Sequence, residues 1–387
     1  MSSKTKKAVF ELPLKFVFTE AGASEFMRRN KKLARLKMGD NTEEYGVSLD
    51  KVTPGSLQRM LLVDYVSKIE VSGVDPVACR GEILDLSKLV IYGLLYRQYN
   101  FVSFSQILSL EPIKKWNRAN PFTVIDEKTQ FREGFFQLFL QEHAGEIADI
   151  RGDLLKPLRD SITKSTSLQA DEKNTQILLG EKFLDASNPI IWFVLLKFQG
   201  TQDFFTIMRE TRSCLTEYMN KSLIAEYAAL LIIELAVNME NLNIVREAKQ
   251  LYKDIDIQTI LVDSKLRDIL INELKKKNGM VTMSWKIGGG SSSIGTRGRF
   301  QITLYNKDIP YREIRDSIEA TKSADVNRKN LSDFYKELSL NGTDSELGIY
   351  YLSYVNEACE KMGIKFESTV SQVPDTSLTI TTLSFYL

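Results

Sequence analysis

The sequence predicts an α+β protein, an α-rich N-terminal region followed by a two-layer α/β sandwich. Three observations carry that reading. Apolar residues recur at helical spacing from about residue 55 to 220. Four later stretches alternate apolar and polar residues, and helical stripes separate those stretches in chain order. Period-two and period-3.6 patterns interleaved along one segment build a sheet with helices packed on it.

Length and composition set the organisation. At 387 residues the chain is long enough for more than one domain, and 43% apolar with 26% charged residues is the balance of a soluble globular protein. The expected division is 1–50, a basic N-terminal segment with one strand; 51–220, a mainly helical regulatory or interaction domain; and 221–387, the sandwich. A net charge of +1 supplies no global pull toward nucleic acid or an anionic membrane, so nucleic acid is not an expected partner. Cys79, Cys214 and Cys359 lie far apart without a C-x-x-C, and with His143 as the one histidine they cannot assemble an ordinary zinc site. Met1-Ser2-Ser3-Lys4 opens the chain without a signal-type apolar core. The longest apolar runs, 190–196 and 228–237, are too short or too interrupted to span a bilayer. A cytoplasmic location with no integral membrane segment is expected.

Residues 10–18 alternate, with Phe10, Leu12, Leu14, Phe16 and Phe18 on one face, and Pro13 within the run argues an edge strand. A basic cluster follows: Arg28, Arg29, Lys31, Lys32, Arg35 and Lys37. It reads either as a phosphate-binding arm or as a solvated helix face, and the absence of interleaved aromatics favours the second. Leu57, Met60, Leu61, Val63 and Val66 form an amphipathic stripe opened by Pro54-Gly55-Ser56, and Ile83, Leu86, Leu89, Val90 and Leu94 form another. Ser103 to Ala119 has the spacing of a helix-turn-helix, for which two packed helices are the plainer account. Phe135, Phe136, Leu138, Phe139 and Leu140 read as core, 164–174 as an exposed connection, and 190–198 as a buried strand or helix.

The C-terminal part opens with a long helix on which Glu234, Asn238 and Asn241 fall at i, i+4 and i+7, hence along one side. Asp263-Ser264 is a cap for the next helix, and Asn278-Gly279 ends it. Val281 to Ile287 and Phe300 to Asn306 alternate as strands around the Gly/Ser loop 288–298, which lacks the Gly-Lys-Ser/Thr close of a Walker loop. Leu347-Gly348-Ile349 begins a further helix that ends at Gly363, and Ile364 to Ser368 with Leu378 to Phe385 form the closing hairpin.

In that order of elements, 221–387 resembles the ATP-binding module shared by histidine kinases, gyrase and their relatives, the GHKL type. The resemblance implies a two-layer sandwich with its helices on one face of a mixed sheet. It also implies ATP with magnesium as ligand: Asn238 would hold the metal with Glu234 beside it as the one candidate catalytic group, and Asn241 would complete the stripe. Asn306 or Asp308 would read adenine, and the Gly348 amide would face phosphate. The glycines that accompany the adenine-reading residue are replaced by Lys307-Asp308-Ile309-Pro310, and Glu346 brings negative charge toward the phosphate path. The module is therefore read as degenerate, a pseudo-ATPase rather than an enzyme. His143 is followed by Ala144 rather than an acid and lies about 80 residues before the module, so it is not expected to accept a phosphoryl group. The function expected is regulatory or signalling, through binding of a protein partner or a second copy of the chain. The alternatives are a scaffold without ligand, an anti-sigma-type serine kinase, and a nucleic-acid or membrane-surface binder acting through Arg28–Lys37.

Overall fold

Among the described residues, eight strands pair into one sheet, in the order β2-β3-β1-β4-β5-β6-β8-β7, and every neighbouring pair is antiparallel. They are β1 (Leu14–Phe18), β2 (Ala34–Lys37), β3 (Glu43–Leu49), β4 (Val66–Val71), β5 (Thr282–Gly288), β6 (Arg299–Lys307), β7 (Lys365–Gln372) and β8 (Leu378–Tyr386). This computed structural model describes residues 9–29, 31–126, 133–166, 170–252, 260, 263–288, 299–307, 347–372 and 378–386. The chain divides into two compact units, Met1–Leu94 with Ile224–Leu387, and Leu95–Leu223.

The first unit holds the sheet. Its helices are α1 (Glu20–Arg28), α2 (Pro54–Leu62), the start of α3 (Arg80–Ser109), α10 (Ile224–Leu251), α11 (Ser264–Lys276) and α12 (Leu347–Lys361). Register explains where they pack. Phe16 faces Ile69, Ile69 faces Trp285, Trp285 faces Ile302 and Ile302 faces Leu383, so these side chains share one face. All five are completely buried. The neighbouring positions Lys15, Lys68, Lys286 and Gln301 point the other way. One apolar face under helices and one polar face make two layers.

The polar face carries its own buried pair. Glu70 is wholly inaccessible and accepts from Lys15 Nζ at 2.9 Å and from the Gly39 amide at 2.9 Å. Lys68 donates to Glu44 at 2.9 Å. Helix α10 has an alanine-rich N-terminal half (Ala225, Ala228, Ala229, Ala236), all buried, which permits close approach, and Tyr227 meets Tyr354 of α12 edge-on at 5.3 Å. Asp263 caps α11 by accepting from the Lys265 and Leu266 amides at 2.9 and 3.2 Å, as its position predicts.

The second unit is helical in its described residues: the rest of α3, then α4 (Glu111–Ala119), α5 (Glu133–Glu142), α6 (Ala144–Lys164), α7 (Ala170–Asp185), α8 (Pro189–Phe198) and α9 (Gln202–Ser222). Phe183 packs on Tyr96 and Tyr218, with ring centroids 5.7 and 4.7 Å apart. Asn188 caps α8 through the Ile190 amide at 3.0 Å, which settles 190–198 as a helix. Among the described residues, by length and composition one helical stretch, Gln202–Leu251, could cross a membrane, and 67% of its apolar window is buried inside the structure, as in a core helix.

The α+β class holds, and all four C-terminal alternating segments lie in one sheet. Several expectations are corrected. The sheet is antiparallel throughout its described strands rather than mixed. The strand from 10–18 is not an edge: β1 lies between β3 and β4, and Pro13 stands just before it. The described residues of 1–50 carry three strands rather than one, and with β4 they extend the C-terminal sheet. Val66 begins β4 instead of ending α2, because Asp64 turns the chain with a φ of 58°. The helix α7 occupies 170–174, expected as a connection, and Leu138, expected as core, is exposed.

Candidate functional site

The long helix α10 is the spine of the candidate site. Glu234 is 6% exposed and forms an ion pair with Arg80 of α3. Asn238, one turn on, is half-buried and has no side-chain hydrogen bond among the described residues. Asn241 accepts from Arg267 Nη1 of α11 at 2.8 Å, and Arg267 also reaches Asp75 at 3.3 Å. The three residues do share one side of α10, and two of them are held by cations from neighbouring helices.

A second stripe lies toward the opposite side of the same helix, about 150° around from the first. Ile233, Ala236, Glu240, Asn243 and Glu247 follow the 3-4-3-4 spacing and are all buried. Asn243 Nδ2 donates to Asn306 Oδ1 of β6 at 2.8 Å and to the Gly279 carbonyl at 3.1 Å. Glu240 Oε2 accepts from the Val281 amide at 3.1 Å at the entrance to β5. Two atoms of this cluster, Glu240 Oε1 and Asn306 Nδ2, are buried without a partner. Unmatched buried polar atoms are uncommon and point to a group that can match them. Here the pair offers one acceptor and one donor.

Burial pushes the Glu240 carboxyl up to about 7, and the charge of Asp75 adds to the rise against the opposing Val281 amide, Arg267 and Asn243. A folded value above the unfolded one of 4.5 means that the native state favours the protonated acid. The stability it contributes is thus full below about pH 4.5 and is lost as pH rises toward 7. Between pH 4.5 and pH 8 the stability of Glu240→Gln relative to the unaltered chain is expected to grow by about 3 kcal/mol. Urea titrations at several pH values measure this. Parallel pH profiles for the two proteins would remove Glu240 as the titrating group.

The sequence-predicted residues are placed as follows. Glu234, Asn238 and Asn241 come together on α10, and Asn306 sits buried at the end of β6 against that helix. Gly348 lies in the first turn of α12. Asp308, Glu346 and the loop from 289 to 298 lie outside the described residues. The basic residues do not form one helix face. Arg28 ends α1 and, with Arg29, pairs with Glu25, while Arg35 lies on β2 paired with Glu43 and Lys37 ends that strand. His143 precedes α6, its Nδ1 2.5 Å from Glu146.

Sequence reasoning missed Arg80, Asp75, Arg267, Glu240 and Asn243. For the last two a signal existed, since two polar residues interrupt the apolar stripe that continues Ile233 and Ala236. The three cysteines are unbridged. Burial raises all three thiols, Cys214 to about 11 and Cys359 to about 12, so none is a ready nucleophile at neutral pH. Among the described residues no group of three His, Cys, Asp or Glu could hold a metal ion.

The donor set fits part of a magnesium nucleotide. Asn238 has an available amide oxygen, whereas Glu234 is neutralised by Arg80. The Asn306 carbonyl is already engaged by Asn243, so it is not free to read a base.

The molecule is thus an α+β protein with, among the described residues, one eight-stranded antiparallel sheet and a second, helical unit drawn from the middle of the sequence. It belongs to the family described as "Family of unknown function (DUF8084)", which matches residues 5–387. A protein of Treponema pallidum (strain Nichols), described as "Uncharacterized protein", is 38% identical over 387 residues, covering 100% of both chains. No solved structure matches the chain.

Proposed function

We propose that this is a cytoplasmic regulatory protein whose sheet unit is a degenerate GHKL-type module, one that senses a nucleotide without turning it over and changes how the chain binds a protein partner. The order of elements supports the module: α10, α11, β5, β6, α12, β7 and β8 follow the order that suggested it. The observation that carries the absence of turnover is the Arg80–Glu234 ion pair. A carboxylate whose oxygen is held by a guanidinium is poorly placed to orient and deprotonate a water. Asn238 keeps an amide oxygen for a metal-bridged phosphate.

The test is equilibrium binding of a fluorescent ATP analogue with and without magnesium. Saturable binding that magnesium strengthens is expected, and Asn238→Ala should weaken the magnesium-dependent part by about tenfold, as loss of one charge-assisted contact does. Phosphate release should be no faster than from a Glu234→Ala, Asn238→Ala double variant. Absence of binding would leave a scaffold that keeps the fold alone. Label from γ-³²P-ATP on the protein, absent in the double variant, would instead establish a kinase.

A further inference from the structure

A groove of about 710 Å³ opens between α1 and α2 over β1, remote in sequence from α10 and unused by the proposed nucleotide chemistry. We propose that it binds a single-chain amphiphile with an anionic head, a medium-chain fatty acid being the simplest form. Its volume lies in the range that holds one small ligand, about 300–1,000 Å³. Phe16, Phe18, Phe26, Met60, Val63 and Tyr65 supply apolar walls, with Phe18 stacked on Phe26 at 5.1 Å. The walls are fixed in place. Thr19 anchors the start of α1 by donating from its amide to the Tyr65 carbonyl at 3.0 Å and from its hydroxyl to the Asp64 carbonyl at 2.6 Å. Gly22 lets α1 approach so closely that a Cβ there would stand 2.1 Å from the Tyr65 oxygen.

The rim selects charge. Arg29, Lys31, Lys51 and Arg59 line the groove against one acid, Glu25, which Arg28 and Arg29 already engage. Lys51 and Arg59 are exposed and have no ion-pair partner among the described residues. The Lys31 ammonium stands over the Phe26 ring at 5.3 Å, where apolar wall meets cationic rim. An apolar cleft ringed by cations matches an alkyl chain with a carboxylate or phosphate at one end. The chain's own first eight residues are a poor match, since Lys4, Lys6 and Lys7 repeat the charge of the rim with no acid among them. A nucleic acid is disfavoured because its phosphates would track a charged surface rather than fill an apolar cleft.

Titration calorimetry of the full chain with octanoate, decanoate and dodecanoate, each below its micelle concentration, tests this. Affinity should rise about three- to fourfold per added methylene, the gain for burying one such group. Dodecyl phosphate should bind comparably, and dodecyltrimethylammonium should not bind. A Lys51→Ala, Arg59→Ala double variant should lose about tenfold in dodecanoate affinity with unchanged Tm. Met60→Trp, which fills the groove, should abolish binding. The proposal is overturned by equal binding of the cationic amphiphile, by no dependence on chain length, or by indifference to both variants. Sedimentation with phosphatidylglycerol vesicles without binding of monomeric dodecanoate would also overturn it, leaving a membrane-surface patch instead.

Discussion

Trp285→Ala is expected to lower the unfolding free energy by about 3–5 kcal/mol. The indole is completely buried at the middle of the sheet, where its register partners Ile69 on β4 and Ile302 on β6 are equally inaccessible. Removing it deletes the largest fully buried side chain among the described residues and leaves a cavity on the apolar face, between the sheet and the helices packed on it. Urea unfolding measures the change as a lower midpoint at constant slope. Trp285→Phe should cost less than about 2 kcal/mol, because it keeps most of the ring and removes an Nε1–H that has no partner. A loss under about 1 kcal/mol for the alanine variant would contradict the central position of β5.

Lys15→Met should cost about 3 kcal/mol by a different route, since it strips the cation from a carboxylate with no access to water. Glu70 would keep the Gly39 amide but not its counter-charge. Adding Glu70→Gln should return more than half of the loss, because a neutral amide can still accept from Gly39 while needing no cation. The double-mutant cycle reads the coupling directly. Additive losses would show that Lys15 and Glu70 do not act as a pair.

What the sequence revealed follows from where burial is one-sided. On β5 the apolar Met283 and Trp285 alternate with Ser284 and Lys286, and on β6 Phe300, Ile302 and Leu304 do the same, so both strands were legible. The outer strands were not. β2 reads Ala-Arg-Leu-Lys at the end of the sheet, with little side chain to bury, and its charges looked like the solvated face of a helix. Val63 and Val66 are three apart and so mimicked helical spacing across the turn at Asp64. In the candidate site, the stripe of Glu234, Asn238 and Asn241 was visible because it is local. Arg80 and Asp75 were invisible because they reach α10 and α11 from more than a hundred residues away.

The pairing of β4 with β5 joins segments about two hundred residues apart, and that separation sets a schedule for synthesis. The first four strands are complete long before the strand that covers the β4 edge exists. At about 5–20 residues per second the wait is on the order of 10–40 s. During it the backbone groups of β4 on that side lack the mates they have in the finished sheet, and an uncovered strand edge is a template for pairing with other chains. The helical second unit, made in that interval, has mainly local contacts and can form first. Nascent chains of this protein should therefore be most prone to aggregate, and most dependent on chaperones, after β4 has emerged and before β5 has.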